Sequence, residues 1–575
     1  MAQIHSFSFK NFMLLLGSAL LAWPTAPEVQ AQTASNLAPS TFQPQSRRAT
    51  GPVTVARDPG APVPEGAERF FVTVGDVRLE GALPQLEEAN AAFRERLTGQ
   101  RVAVSEIFAA TAQLENAYAN AGYVLVRVVL PQQTVRDGGT LRIVVIDGFV
   151  ERVDTTKVPE PVRERVATIT QGLVGRRGVR LQEIERALLL AGDTFGVQLS
   201  STLTAGDEKG GTALLLEGEY KRITGSYGFD NTLSDDLGSV NLSFGVELNG
   251  ALGLGETFYA RAGGSPTRFF SDSSQYRILA GGAVVPIGYD GMTFNAEVTS
   301  SRASPDPGLV TTSSSFDRLS LRLYYPWVRT RKFNLSSQLI LDRSSDEQNL
   351  DIGTTTLPIY DDELSVLRAT VDGSWGFEDG SFLQASAILS RGLDAFGARR
   401  TPTGAATPLS RQGADAVFTK LVIGGAYERP LDPNWSLTLR GRLQENFGDP
   451  LVTSEQFSIA SGGELSAFDA GSLRGDDGWV VRSEIGRTSQ ASIAGFPIVI
   501  KPFLFGAYGV LGLEQPTILE QDKTKAYSYG LGVDLITIED SAYKSGSIRL
   551  EYGRGERDDR GDDGNRFSIV ASRRF

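Results

Sequence analysis

The sequence predicts two small α+β modules followed by an all-β transmembrane barrel of about sixteen antiparallel strands, and three observations carry that reading. Beyond Arg222 the periodic stretches alternate apolar residues with polar ones or glycine, as in "SVNLSFGVEL" (239–248) and "YSYGLGVDL" (527–535). The connections alternate in length. "GYDG" (288–291), "EDG" (378–380) and "PLDPN" (430–434) are short, whereas 343–363, 391–417 and 446–478 are long. A membrane barrel has short turns at one rim and long loops at the other, and a soluble sandwich has no reason to keep that parity. The chain also stops on "NRFSIVASRRF", which places Phe567, Ile569, Ala571 and Phe575 on one face of a period-two strand. An aromatic last residue suits a closing strand at the membrane interface, so Phe575 is a candidate barrel-terminal signal.

Taken in chain order, the first element is a leader. Lys10, the apolar run "FMLLLGSALLAW" (12–23) and "VQA" (29–31) have the pattern of a secretory signal peptide cleaved after Ala31. The run is too short for a membrane-spanning helix, which needs about 20 apolar residues. Residues 32–67 are rich in Pro, Ser, Thr and Ala without periodicity and read as a linker with room for a short plug helix. Residues 68–148 and 149–220 then repeat one order, β-α-α-β-β. In the first module "RFFVTVGDVRLEG", "YVLVRVVLP" and "TLRIVVIDGFVERV" read as strands, and "SEIFAATAQLENAYANAG" as a helix burying Ile107, Ala110, Leu114 and Tyr118. Helices vanish from residue 221 onward, leaving the barrel over 221–575.

Composition excludes much chemistry. There is no cysteine, and the one histidine, His5, lies in the leader. Structural zinc sites, Cys- or Ser–His catalysis and haem ligation by His are excluded together. No EF-hand spacing and no P-loop occur. No enzyme activity, catalytic residue, metal or cofactor is expected. With a net charge of −12 the chain is not expected to bind nucleic acid.

The stretch "YANAGYVLVRVVLPQQTVRDGGTLRIVVIDGFVERV" (118–153) resembles the first POTRA module of two-partner secretion transporters, the haemolysin and filamentous-haemagglutinin exporter group. The residues that carry the resemblance are Gly122, Tyr123, Pro131, Gln133 and Gly148. "LQEIERALLLAGDTFGVQLSSTLTAG" is similar to the second module, with Phe195 where proline is more usual, and "GFDNTLSDDLGSVNLSFGVEL" to the start of the family's barrel. The resemblance implies a transporter in the outer membrane of a Gram-negative bacterium, with POTRA modules in the periplasm. Its partners would be a large, unfolded exoprotein of β-helical kind, outer-membrane lipid and the barrel-assembly machinery. A POTRA-barrel factor that inserts outer-membrane proteins is the alternative.

In that family a loop after the eleventh strand enters the pore with a Val-Arg-Gly-aromatic tetrad, whose arginine pairs with an acid in a Phe-x-Asp-x-Gly strand. Here the loop reads "SGGELSAFDAGSLRGDDGW" (461–479). Aligned on Gly462-Gly463 and Gly475-Asp476-x-Gly478, the tetrad falls on "AFDA" (467–470), and Ala507 takes the acidic position. Both halves of the pair are missing. Alternatively Leu473 to Asp476 is a shifted tetrad, and Arg474 is expected to find an acid among Asp476, Asp477 and Asp534. The tripeptide Arg-Gly-Asp occurs at 474–476 and 560–562, where loop composition accounts for it.

Overall fold

Periodic apolar residues fix each small module, and we follow them through a computed structural model. It describes residues 33–37, 54–55 and 63–575, the last without 272–273, 306–309, 401–406, 494, 540, 542, 560 and 562. The leader, most of the linker, and Arg560 and Asp562 of the second Arg-Gly-Asp tripeptide lie outside the described residues.

In the first module the helices Glu87–Leu97 and Val104–Asn120 pack on one face of a four-stranded sheet. Its strand order is Arg101–Ala103, Phe71–Glu80, Gly139–Ile146, Arg127–Val129. Ile107, Ala110, Leu114 and Tyr118 are buried, as their 3.6-residue spacing requires. Two strand expectations need correction. "YVLVRVVLP" shrinks to Arg127–Val129, because Leu125 leaves the sheet for the core of the next module and Pro131 has no N–H to continue the ladder. "TLRIVVIDGFVERV" breaks at Asp147-Gly148 into Gly139–Ile146 and Phe149–Lys157, which belong to different sheets.

The second module repeats the plan. The helices Glu160–Gln171 and Leu181–Gly192 cover the strands Phe149–Lys157, Gly211–Tyr220 and Val197–Ala205. Thr54–Val55 of the linker adds to the last of these in parallel.

The barrel closes with sixteen antiparallel strands, from Ile223–Asp230 to Gly564–Arg574, the twelfth kinked between Asp477–Arg487 and Ser489–Ile493. The seam joins the last strand to the first, with Arg574 opposite Ser226. Phe575 and Gly225 exchange both backbone hydrogen bonds at 3.0 Å. A Cβ on Gly225 would stand 2.6 Å from the Phe575 ring, so the terminal aromatic lies across a glycine. The expected long loop at 343–363 is instead a tall hairpin. Phe333–Ile352 and Thr355–Gly376 stay paired almost to the tip. Above the hydrocarbon the outer face of these strands meets water and the inner face buries polar groups such as Asp346 and Asp362, so the apolar alternation stops while the hydrogen-bonded ladder continues.

The second module docks on the barrel through arginines aimed at backbone. Arg165 donates to the carbonyls of Leu254 (3.3 Å) and Gly288 (3.1 Å), and Arg186 to those of Pro326 (3.0 Å) and Asp290 (3.2 Å). Arg329 of the barrel holds Asp193 with two bonds of 2.8 Å, and buried Tyr543 donates to the Gly196 carbonyl. Arg329→Ala should therefore loosen the module without opening the barrel. Limited proteolysis is expected to nick 160–192 several-fold faster, with heat-modifiable migration unchanged.

Candidate functional site

Leaving the eleventh strand at Glu445, the chain does not return at once to the wall. Residues 446–476 fold into the lumen, and four of their carboxylates are gripped by cations of the barrel. Glu455, in a short helical turn, accepts from Arg368 at 2.6 and 3.1 Å and stands 2.9 Å from the Lys420 ammonium. Glu464 is held by Arg442 (2.8 Å) and Asp469 by Arg566. Asp476 is fully buried. It accepts from the backbone of Glu514 (2.8 Å) and Leu451 (3.2 Å) and from Arg411 (3.4 Å). Buried carboxylates need this many donors to repay their desolvation.

The loop tip rests on an apolar seat. Leu465 and Phe468 pack with Ile459, Leu473, Leu511 and Ala507 in one buried cluster. Ala507, the position of the family's acid, thus contributes a methyl to this cluster. The wall beneath the tip is glycine. A Cβ on Gly555 would lie 2.6 Å from the Phe468 ring, and one on Gly564 would lie 2.3 Å from the Ala467 carbonyl oxygen. Gly555→Val is accordingly expected to lift the tip, at a cost of about 1–3 kcal/mol for overpacking. It should raise channel conductance in planar bilayers, and Phe468→Ala in the same chain should reverse the increase.

A residue not singled out from the sequence holds the tip. Arg482, on the twelfth strand, is fully buried over the Phe505 ring at 3.8 Å. Its guanidinium donates to Glu551 (2.7 Å), Glu484 (2.7 Å), the Ser466 hydroxyl (2.9 Å) and the Glu464 carbonyl (3.0 Å). The last two acceptors belong to the loop. Ser466 in turn donates to Glu551. The signal was available: Arg482 and Glu484 are charges two residues apart on the inner face of a strand whose outer face is apolar.

Arg474 lies at the base of the loop, where Arg474–Gly475 pairs with Phe457–Ser458. None of its three expected acids meets it. Asp476 is taken by Arg411, Asp534 lies 3.4 Å from Arg549, and Asp477 opens the twelfth strand. Gly475 and Gly478 are sterically required, since Cβ atoms there would come within 2.6 Å of the Gly512 oxygen and 2.2 Å of the Val510 oxygen. Gly462 and Gly463 face open space. A loop deletion should therefore stop before Asp477, because removing Gly478 would cut the barrel wall itself.

A second structure lies beside the loop. The helix Ala34–Leu37 sits inside the barrel, where the Ala34 N–H donates to Ser314 (2.8 Å) and its carbonyl accepts from Ser301 (3.0 Å). The Leu37 carbonyl accepts from Tyr276 (2.9 Å).

The residues singled out in the first module form joints and edge caps. Gly122 adopts a φ of 94°, and its carbonyl accepts from Leu181 of the second module (2.7 Å). Tyr123 is buried with Arg180 over its ring at 5.5 Å. A Cβ on Gly148 would stand 2.0 Å from the Leu125 oxygen. Pro131 ends the edge strand, and the Gln133 side chain takes over as a mock strand residue. Its amide accepts from the Arg142 N–H (2.9 Å) and donates to the Arg142 carbonyl (2.7 Å). Next to it, the Arg142 guanidinium donates to Glu80 and holds that carboxyl below its ordinary pKa.

Residues 210–535 match the family described as Haemolysin secretion/activation protein ShlB/FhaC/HecB, and residues 72–148 match the POTRA domain, ShlB-type. The chain belongs to the haemolysin secretion/activation family. It is similar to the outer membrane transporter CdiB of Escherichia coli O6:K15:H31 (strain 536 / UPEC), at 22% identity over 81% of this chain and 77% of that one. It is also similar to the heme/hemopexin transporter protein HuxB of Haemophilus influenzae (strain 86-028NP), at 21% identity over 67% and 66%. The solved structure of CdiB from Escherichia coli superposes with a TM-score of 0.68 at 19% identity, covering 91% of this chain and 94% of that one. This member of the family is a two-partner secretion transporter of the outer membrane, with its POTRA modules on the periplasmic side. In this chain the inserted loop supplies carboxylates and the wall supplies cations.

Proposed function

We propose that the protein exports one large secreted partner, captured unfolded by the first POTRA module and passed through the lumen once the inserted loop and the helix Ala34–Leu37 give way. The observation that carries this is how the lumen is filled. Its obstructions are held largely by ion pairs and hydrogen bonds, which can exchange for water or for a passing peptide. Capture has a matching basis. The edge strand Arg127–Val129 is capped on its free side by a side chain, Glu115 accepting from the Val128 N–H at 2.9 Å. An added peptide strand can displace such a cap with main-chain bonds that tolerate varied sequence.

On this reading the mature chain starts at Gln32, faces outer-membrane lipid through its apolar outer wall, and reaches the membrane by the barrel-assembly machinery. It performs no catalysis and binds no nucleic acid; a mature sequence without His or Cys and a net charge of −12 support both. The partner should be encoded nearby as a very long β-helical exoprotein. Deleting the chain from its host should strand that partner in the periplasm while other outer-membrane barrels keep their normal levels. A general fall in those barrels, with the partner still exported, would replace this reading by the assembly-factor one.

A further inference from the structure

Two opposite charges are buried in one compartment of the lumen without meeting. Asp346 is 1% exposed; its carboxyl is hydrogen-bonded by Ser35 of the helix and, at a long 3.4 Å, by the Tyr360 hydroxyl, and one of its oxygens has no partner among the described residues. Arg474 has no carboxylate within 4.0 Å among the described residues, and its Nη1 is buried without a partner. The Tyr360 hydroxyl and the Asp346 carboxyl nevertheless lie close enough to bear on its guanidinium. A buried carboxylate and a buried guanidinium, each with an unmet atom, ordinarily close on each other.

The helix Ala34–Leu37 and Thr33 share this compartment. Ser35 and Thr33 lie against the Asp346 and Tyr360 side chains. Ala34 is fixed to the wall at Ser301 and Ser314. Two residues on, Asn36 meets the loop, where a Cβ on Gly471 would be 3.4 Å from that of Asn36. The helix is therefore wedged between the wall that carries Asp346 and the loop that carries Arg474.

We propose that Arg474 and Asp346 are the latch of the unplugged channel: when residues 33–37 withdraw, the Arg474 guanidinium closes on the Asp346 carboxylate, and the new ion pair steadies the open lumen. The seated helix thus keeps apart two groups that favour its departure. The idea rests on the export reading, but its test needs no partner protein.

Open dwell times of the full-length protein in planar bilayers are the first readout. Asp346→Asn and Arg474→Gln should each shorten them at least about tenfold, the weight of one charge-assisted hydrogen bond. The reversal Asp346→Arg with Arg474→Asp should restore them. Cross-linking is the second readout and covers variants that insert poorly. The chain has no cysteine of its own, so Asp346→Cys with Arg474→Cys gives a clean pair. It should form a disulfide in a chain lacking 33–37 and not in the plugged chain. Equal cross-linking with and without residues 33–37, or unchanged dwell times in both single variants, would overturn the latch. Loss of export with normal latch behaviour would instead count against the export reading.

Discussion

Arg482→Leu is expected to unseat the inserted loop and raise the conductance of the purified channel sharply. Arg482 is fully buried and binds two wall carboxylates and two atoms of the loop at once. Leucine fills much of the volume but leaves Glu551 and Ser466 facing each other without the cation between them. Removing one partner of a buried ion pair costs roughly 3–5 kcal/mol. Arg549, 3.2 Å from Glu551 and bonded to Glu484, absorbs part of this, so about 3 kcal/mol is the working figure. That shifts the balance between seated and unseated loop by about 100-fold. Single-channel recordings should show the open state dominating at potentials where the parent is mostly closed. Glu551→Gln should act in the same direction, and the two changes together should be far less than additive, because they break one network. A leucine variant with parental conductance would mean that Glu455, Glu464, Asp469 and Asp476 hold the loop without help from Arg482.

Removing 68–148 should abolish export of the partner while the barrel remains inserted and heat-modifiable. The two parts have separate cores: the first module is built around Val74, Leu97, Leu141 and Ile143, and no barrel residue belongs to that cluster. One residue complicates the cut. Leu125 is 5% exposed and packs in the core of the second module, so the deletion also opens a hole there. Leu125→Ala in the full-length chain measures that contribution. Export should fall only partly in this variant. A loss as complete as that of the deletion would move the capture role to the second module.

The barrel was legible in the sequence because lipid on one side and a polar lumen on the other force strict alternation, strand after strand. The helices of the modules were legible for the same kind of reason: Ile107, Ala110, Leu114 and Tyr118 share one buried face. The tall hairpin was not, since strands above the membrane have no apolar face to display. The contents of the lumen were the least legible. Arg482, Arg368 and Glu455 come from segments far apart in the chain, and nothing local in each tells which distant charge it will meet. Arg474 drew notice through its glycine context, yet the acids near it in sequence turned out to be engaged elsewhere.

The second module grips the barrel by carbonyl oxygens, and a carbonyl is the same whatever side chain hangs beside it. Mutational tolerance should therefore be lopsided across that contact. The periplasmic turns around Leu254, Gly288, Asp290 and Pro326 can drift in identity so long as their backbone path survives, whereas Arg165 and Arg186 cannot. Apart from the Arg329–Asp193 pair, such a joint lets the turns of the barrel diversify without a compensating change in the module that reads them.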